Sequence, residues 1–347
     1  MYFFQLLAYI LIILFSVSCN NQDKDLGDSR NFEFTYQVNL ESSNQKVELW
    51  IPIPQTNEVQ KITNMYLNSS SLSCEELVEP NYSNHYYYCF NNSGLSKPMT
   101  LSYSFNVERF EHGFIDYSHL NPEDYNRGTN HMTVPEGEIF SDILLDNNLS
   151  SEDIKSVYNY VLNGMHYGKP KSKDNVYYSN PWLSKDGLYG KKKVSRDQVV
   201  KLYQDSKENS SNYTFGNGNS IYACNIGVGN CTDYHSYFMS LLRTMDVPVR
   251  FHMGFPIPDG DSGKISGYHC WADFYVEGQG WAPVDISEAD KIPEKSDYFF
   301  GTVDKNRLEL TTGRDLELKN YKKYVNFFIY PLVEGANFTK EFSYKNI

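Results

Sequence analysis

The sequence is short of positive charge: 31 Lys and Arg stand against 43 Asp and Glu, giving a formal charge of −12 at pH 7. Such a surface repels phosphate backbones and anionic lipid head groups, so nucleic acid is not an expected partner. No hydrophobic run is long enough to span a bilayer comfortably, the one apolar stretch being residues 2–15, broken only by Gln5. The six cysteines never pair as CxxC, which removes the usual zinc spacing. No EF-hand-like loop is present to hold calcium, and no internal repeat is visible. Core material, by contrast, is plentiful. Hydrophobic residues make up 40%, with 29 Tyr and 21 Phe, so the chain folds, and its 347 residues suggest two domains.

The apolar stretch ends in Ser16-Val17-Ser18-Cys19-Asn20 and reads as the h-region of a secretory signal. Small residues before a cysteine resemble a bacterial lipoprotein cleavage site, with Cys19 as the acylated first residue of the mature chain. Ser16 stands where that pattern usually has Leu, and no Lys or Arg precedes the run. The alternative is an ordinary export signal in which Cys19 is incidental. On either reading the protein works outside the cytoplasm, and on the first it is a membrane-anchored lipoprotein of the bacterial envelope. Export permits disulfides. With Cys19 and Cys231 set aside, Cys74 with Cys89 and Cys224 with Cys270 are both open pairings.

Residues 20–30 are polar and suit a tether. From Phe32 onward apolar and polar residues alternate, again at Val47–Ile51 and at Leu101–Val107, so 31–125 is expected to be an antiparallel β-sandwich. Residues 126–347 then form an α+β domain. Ser150 with Asp153 suggests a capping box before a helix through Met165, and Ser195 with Gln198 suggests another. The polar stretches 168–194, with the lysine run 191–193, and 205–220 read as surface loops.

The chemistry concentrates farther on. Gly227-Val228-Gly229-Asn230 precedes Cys231, after which Tyr234, Tyr237, Phe238, Leu241, Leu242 and Met245 recur at helical spacing until Val247-Pro248. Asn230 is a good N-cap, so Cys231 falls in the first turn, where the helix dipole favours a thiolate and backbone amides can help hold an oxyanion. The glycines would allow close approach of substrate backbone. Residues 268–276 have strand composition, and alternation places His269, Trp271, Asp273 and Tyr275 on one face and Cys270 on the other, making Cys270 a poor rival nucleophile. If 278–280 form the turn and Glu277 opposes Trp281, Asp285 opposes Asp273, on the face of His269 but four residues away.

The order cysteine, histidine, aspartate is that of papain-like and transglutaminase-like thiol enzymes. Gly229–Ser236, Val247–Phe251 with Gly254–Pro256, Gly267–Tyr275, Gly280–Asp285, Thr311–Leu316 and Asn326–Pro331 together resemble bacterial transglutaminase-like domain proteins over about 135–335. The resemblance implies a papain-like α+β domain with the nucleophile at a helix N-terminus packed on an antiparallel sheet. It also implies Cys231 as nucleophile, His269 as base and Asp285 as its orienting partner, with no metal or organic cofactor. The expected activity is acyl transfer from peptide or protein amides through a Cys231 thioester, as a cysteine peptidase or amidase ahead of a transamidase. The alternative is a catalytically silent envelope protein that keeps the fold.

Other residues have plainer readings. His252 is expected at the surface or behind the site, and Asp233 and His235 are divided between capping and the cleft. Trp271 and Trp281 are expected to pack. Trp182 is a candidate oxyanion support, and Cys231 with His235 has a spacing that could ligate zinc.

Overall fold

Alternation between Phe32 and Leu40 buries Phe32, Phe34, Tyr36, Val38 and Leu40 on one face of a 15-residue strand, β1 (Leu26–Leu40). It is followed by β2 (Val47–Ile53), β3 (Gln60–Asn68), β4 (Ser73–Val78), β5 (His85–Asn91) and β6 (Met99–His112). The computed structural model describes residues 26–69, 71–126, 128, 134–168, 188–189 and 194–347. The export signal with Cys19, residues 20–25 of the tether, Trp182 and the lysine run 191–193 lie outside the described residues.

Helical elements come next: α1 (Ile139–Asp146), α2 (Ile154–Gly164), the short strands β7 (His166–Tyr167), β8 (Leu188–Tyr189) and β9 (Val194–Ser195), then α3 (Arg196–Asn209) and α4 (Ser220–Ile226). The pair β10 (Val228–Gly229) and α5 (Cys231–Thr244) leads into β11 (Val249–Pro256), β12 (Ser262–Lys264), β13 (His269–Val276) and β14 (Gly280–Val284). The chain closes with α6 (Ile286–Lys291), β15 (Arg307–Thr312), β16 (Leu332–Glu334) and β17 (Phe338–Asn346).

Three antiparallel sheets carry the α+β fold. A five-stranded sheet runs β12-β17-β1-β6-β3 and a four-stranded one β16-β2-β5-β4. Their inner faces meet where Tyr103 packs edge-on against Tyr87 and donates its hydroxyl to Pro52 O at 2.5 Å. The third sheet, β14-β13-β11-β15, supports α5, with Phe238 edge-on to Phe274 at 6.2 Å. The sandwich is not built from residues 31–125 alone. β17 pairs with β1 from Phe32↔Asn346 to Leu40↔Phe338, and β16 pairs with β2. The chain end assigned from sequence to the α+β domain thus contributes a strand to each sandwich sheet, and β17 satisfies the backbone groups of β1 that would otherwise form an open edge.

Local differences have local causes. The cap of α2 is Asp153, which accepts from Ser156 N at 3.1 Å, so the helix starts later than a Ser150 cap would have it. The box of Ser195 and Gln198 is present as expected. The stretch read as a loop from 205 contains the end of α3, and α4 begins at its far side. Cys74 and Cys89 face each other across β4 and β5 and form a disulfide, whereas no disulfide joins Cys224 to Cys270.

Candidate active site

The start of α5 is built by its own sequence. Asn230 has extended φ/ψ and accepts from Thr232 N at 3.0 Å, while the Asp233 side chain reaches back to accept from Asn230 N at 3.0 Å. Asp233 also accepts from Gly216 N and Gly218 N, at 2.8 and 2.9 Å, so it caps the helix and ties the preceding loop to it. Burial pushes its carboxyl up to about 7 against the pull of these amides. A Cβ on Gly229 would lie 2.5 Å from Asp233 Cβ, so Asp233 makes a close approach at that glycine.

Cys231 is the first residue of α5 and is 2% exposed. Burial alone would raise its thiol. Hydrogen bonds from Cys270 and His269, with the positive charge of His269, outweigh burial and hold the thiol well below its ordinary value. The amide of Cys231 itself sits where a helix leaves N–H groups without intrahelical acceptors, the kind of donor that can stabilise an oxyanion.

His269 opens β13, and its Nε2 lies 2.6 Å from Asp285 Oδ2, which leaves Nδ1 for the thiol. Burial would lower the imidazole, but the Asp285 charge, the hydrogen bond to it and the Cys231 thiolate raise it to about 10. Asp285 is fully buried and caps α6 by accepting from Glu288 N at 3.1 Å. Burial works against its charge, yet His269 and Arg307 keep the carboxyl far below the carboxylate range. The three expected residues are therefore brought together as a hydrogen-bonded set.

The hairpin register explains how Asp285 arrives. Val276 pairs with Gly280 and Tyr275 with Trp281, so the turn is 277–279 and the ladder ends at Ala272↔Val284. Continued by one step, it would set Asp285 against Trp271, two residues nearer to His269 than the sequence reading placed it. The cap at α6 then turns the carboxylate toward the ring.

Two neighbours were not identified as parts of the site from sequence. Arg307 donates from Nη1 to Asp285 Oδ2 at 3.0 Å and from Nη2 to Asp304 Oδ2 at 2.6 Å. It holds the same carboxylate oxygen that faces the histidine. Cys270, expected to point away, stands beside the nucleophile, with Sγ 3.7 Å from His235 Nδ1 and a thiol hydrogen-bonded to Cys231. Its position at the very end of the strand puts both it and His269 within reach of the start of α5. Burial and the Cys231 thiolate push the Cys270 thiol well above its ordinary value, so it acts as a donor and not as a second thiolate.

His235 is fully engaged. Its Nδ1 donates to Cys231 O at 2.7 Å and its Nε2 accepts from Ile286 N at 3.1 Å, which joins α5 to α6. Among the described residues no group of His, Cys, Asp and Glu forms a metal site, so the zinc spacing of Cys231 and His235 is not realised there.

His252 is not a surface residue. It is buried on β11, with Nδ1 2.8 Å from Glu309 Oε2, Nε2 3.1 Å from Asp273 Oδ2, and its ring stacked on Trp271 at 5.5 Å. Trp271 and Trp281 both pack, each 1% exposed. Beside the nucleophile a cavity of about 700 Å³ opens between Tyr167, Tyr203, Phe215, Asn230 and Tyr268. Asn230 Nδ2 donates to Tyr268 Oη at 3.1 Å on its wall.

Residues 182–286, which hold the nucleophile helix, the histidine strand and Asp285, match the family model of the transglutaminase-like superfamily. The chain carries a transglutaminase-like domain. An uncharacterised protein of Haemophilus influenzae is 24% identical over 355 aligned residues, 88% of this chain and 86% of that one. Among solved structures, a candidate cysteine protease from Cytophaga hutchinsonii superposes with a TM-score of 0.53 over 91% of each chain at 11% identity, which is a likeness of fold. The periplasmic domain of TgpA from Pseudomonas aeruginosa is similar at a TM-score of only 0.33, with 13% identity over 76% of this chain and 73% of that one. Among the described residues no helix is long and apolar enough to cross a membrane.

Proposed function

We propose that the transglutaminase-like domain is a working thiol enzyme that transfers acyl groups from peptide or protein amides. The observation that carries this reading is the 2.6 Å contact of His269 Nε2 with a buried Asp285, on a ring whose other nitrogen serves the Cys231 thiol. Such a pair holds a thiolate and an imidazolium together at neutral pH. The thiolate sulfur attacks the amide carbonyl carbon and the oxygen takes up charge beside the first amides of α5. His269 then gives its proton to the leaving amine as the C–N bond breaks, leaving a thioester on Cys231. His269, now neutral, draws a proton from water or from an incoming amine, whose attack releases acid or a new amide and restores the thiolate. Hydrolysis is the favoured outcome. The protein is further proposed to be exported and tethered to the envelope through a lipid on Cys19.

Iodoacetamide labelling followed by peptide mass spectrometry tests the enzyme reading. Cys231 should alkylate at neutral pH far faster than an ordinary thiol; a Cys231 no faster than a free cysteine would leave the catalytically silent alternative. A labelled primary amine offered with a glutamine-rich protein separates the two fates of the thioester. Radiolabelled palmitate that fails to label the wild-type chain in a bacterial host which lipidates its own lipoproteins would remove the anchor.

A further inference from the structure

A second cavity, of about 730 Å³, lies on the other side of the catalytic sheet from α5. Its wall combines loops of the sandwich (55–58 and 81–84), the connector 117–125, and Arg250, His252 and Glu309 of β11 and β15. The size falls in the roughly 300–1,000 Å³ range of small-ligand sites.

The charges inside are already satisfied by one another. Arg250 donates through Nε to Asp273 at 2.9 Å and through Nη2 to its other oxygen, and His252 lies between Asp273 and Glu309. The rest of the wall offers hydrogen-bonding groups and ring surface. The side chains of Asn81, Ser83, Tyr117 and Tyr125 line the cavity, Asn81 and Ser83 exposed, Tyr125 half-buried and Tyr117 buried. Glu58 Oε2 is excluded from solvent and has no donor, and His252 Nε2 is not aligned for a hydrogen bond with the nearby Asp273 oxygen. A buried acceptor left without a donor is costly, and a ligand hydroxyl or amide would supply one. Tyr82 and Tyr125, ring centroids 6.3 Å apart, present aromatic surface along the wall. Glu58 and Asp124 add negative charge to the wall and disfavour an anion.

We propose that this cavity is a second binding site, for a neutral polyhydroxylated ligand of the size of a di- or trisaccharide. Its floor adjoins the catalytic histidine through stacked rings, His252 on Trp271 at 5.5 Å and Trp271 on His269 at 6.3 Å. A saccharide bound there would hold the protein to a glycan while the thiol site works on the opposite side.

Titration calorimetry and tryptophan fluorescence on the full chain test the proposal, since Trp281 lies 5.3 Å from Tyr125 and reports on the cavity. The probes are triacetylchitotriose and maltotriose, with trigalacturonate as the anionic counterpart and acetyl-trialanine amide as a neutral peptide. At least one neutral trisaccharide should bind, trigalacturonate should not compete, and Tyr125→Ala and Asn81→Ala should each weaken binding about fivefold to tenfold. Asn81 is exposed, so its replacement keeps the test sound should Tyr125→Ala fail to fold. The proposal falls if neither trisaccharide binds at up to about 10 mM, if the peptide binds in their place, or if binding survives both substitutions unchanged.

Discussion

Two buried histidine–carboxylate pairs stand on neighbouring strands of one sheet, and only one of them has a thiol. His269 with Asp285 lies at the strand ends beside α5; His252 with Asp273 lies on the opposite face, closed in by Arg250, Glu309 and Trp271. Both histidines are raised above their ordinary value by carboxylates against the effect of burial. A perturbed imidazole is therefore not enough to mark a catalytic base. The difference is in the remaining ring nitrogen: on His252 both nitrogens face carboxylates, while His269 keeps one for Cys231. The His252 pair holds β11 to β13 and β15; the His269 pair stands beside the Cys231 thiol.

Breaking each pair in turn sharpens that contrast, starting from the largest effect. Cys231→Ala should abolish thioester formation on activity probes while leaving the fold intact, because the change removes a single sulfur at a helix start. Asp285→Asn should lower turnover by roughly 10²- to 10⁴-fold, the usual worth of a positioned acid–base pair. It should also return the His269 titration, followed by NMR, from about 10 toward the ordinary value near 6.5. The sign is fixed by linkage. With its folded value raised, His269 contributes stability that is full below about 6.5 and is lost as pH rises through about 10. Asp285, depressed in the fold, contributes above about 3.9 and loses that contribution as pH falls through its lower folded value.

Asp273→Asn makes the converse break. It strips Arg250 and His252 of a buried counter-charge, so chemical denaturation should show a loss of about 3–5 kcal/mol, with the Cys231 alkylation rate at neutral pH unchanged. A matching fall in alkylation would show that the two pairs are one unit. Cys270→Ala is the smallest expected effect. It removes one of the two hydrogen bonds to the thiolate, so the Cys231 thiol should titrate higher, by up to about one pH unit if that bond is worth roughly 1.5 kcal/mol, with turnover at neutral pH little changed.

Sequence made one half of the catalytic arrangement legible and hid the other for physical reasons. The start of α5 could be read because cap, thiol and apolar stripe all lie between Asn230 and Met245, where helical periodicity and Asx capping are local. His269 and Asp285 could be paired because a hairpin joins them, although the register was two residues off: the turn begins at Glu277, one residue earlier than Gly278-Gln279-Gly280 suggested. Arg307 gave no local signal, since its contact with Asp285 spans 22 residues and depends on the order of the sheet. Strand alternation misplaced Cys270 because it sits one residue inside the start of β13, where the strand end is not held to one face. The same limit applies to the fold. β1 and β6 announce themselves by alternation, but nothing in residues 332–346 says that they return some 300 residues to close the sandwich.

The pH dependence of Cys231 alkylation in the wild type and in His269→Ala tests the central claim most directly. If the histidine–aspartate pair holds a thiolate, the wild-type rate should be half-maximal well below the ordinary thiol value of about 8.5, and His269→Ala should move the midpoint upward. A wild-type midpoint at or above that value, unmoved by the substitution, would contradict the account.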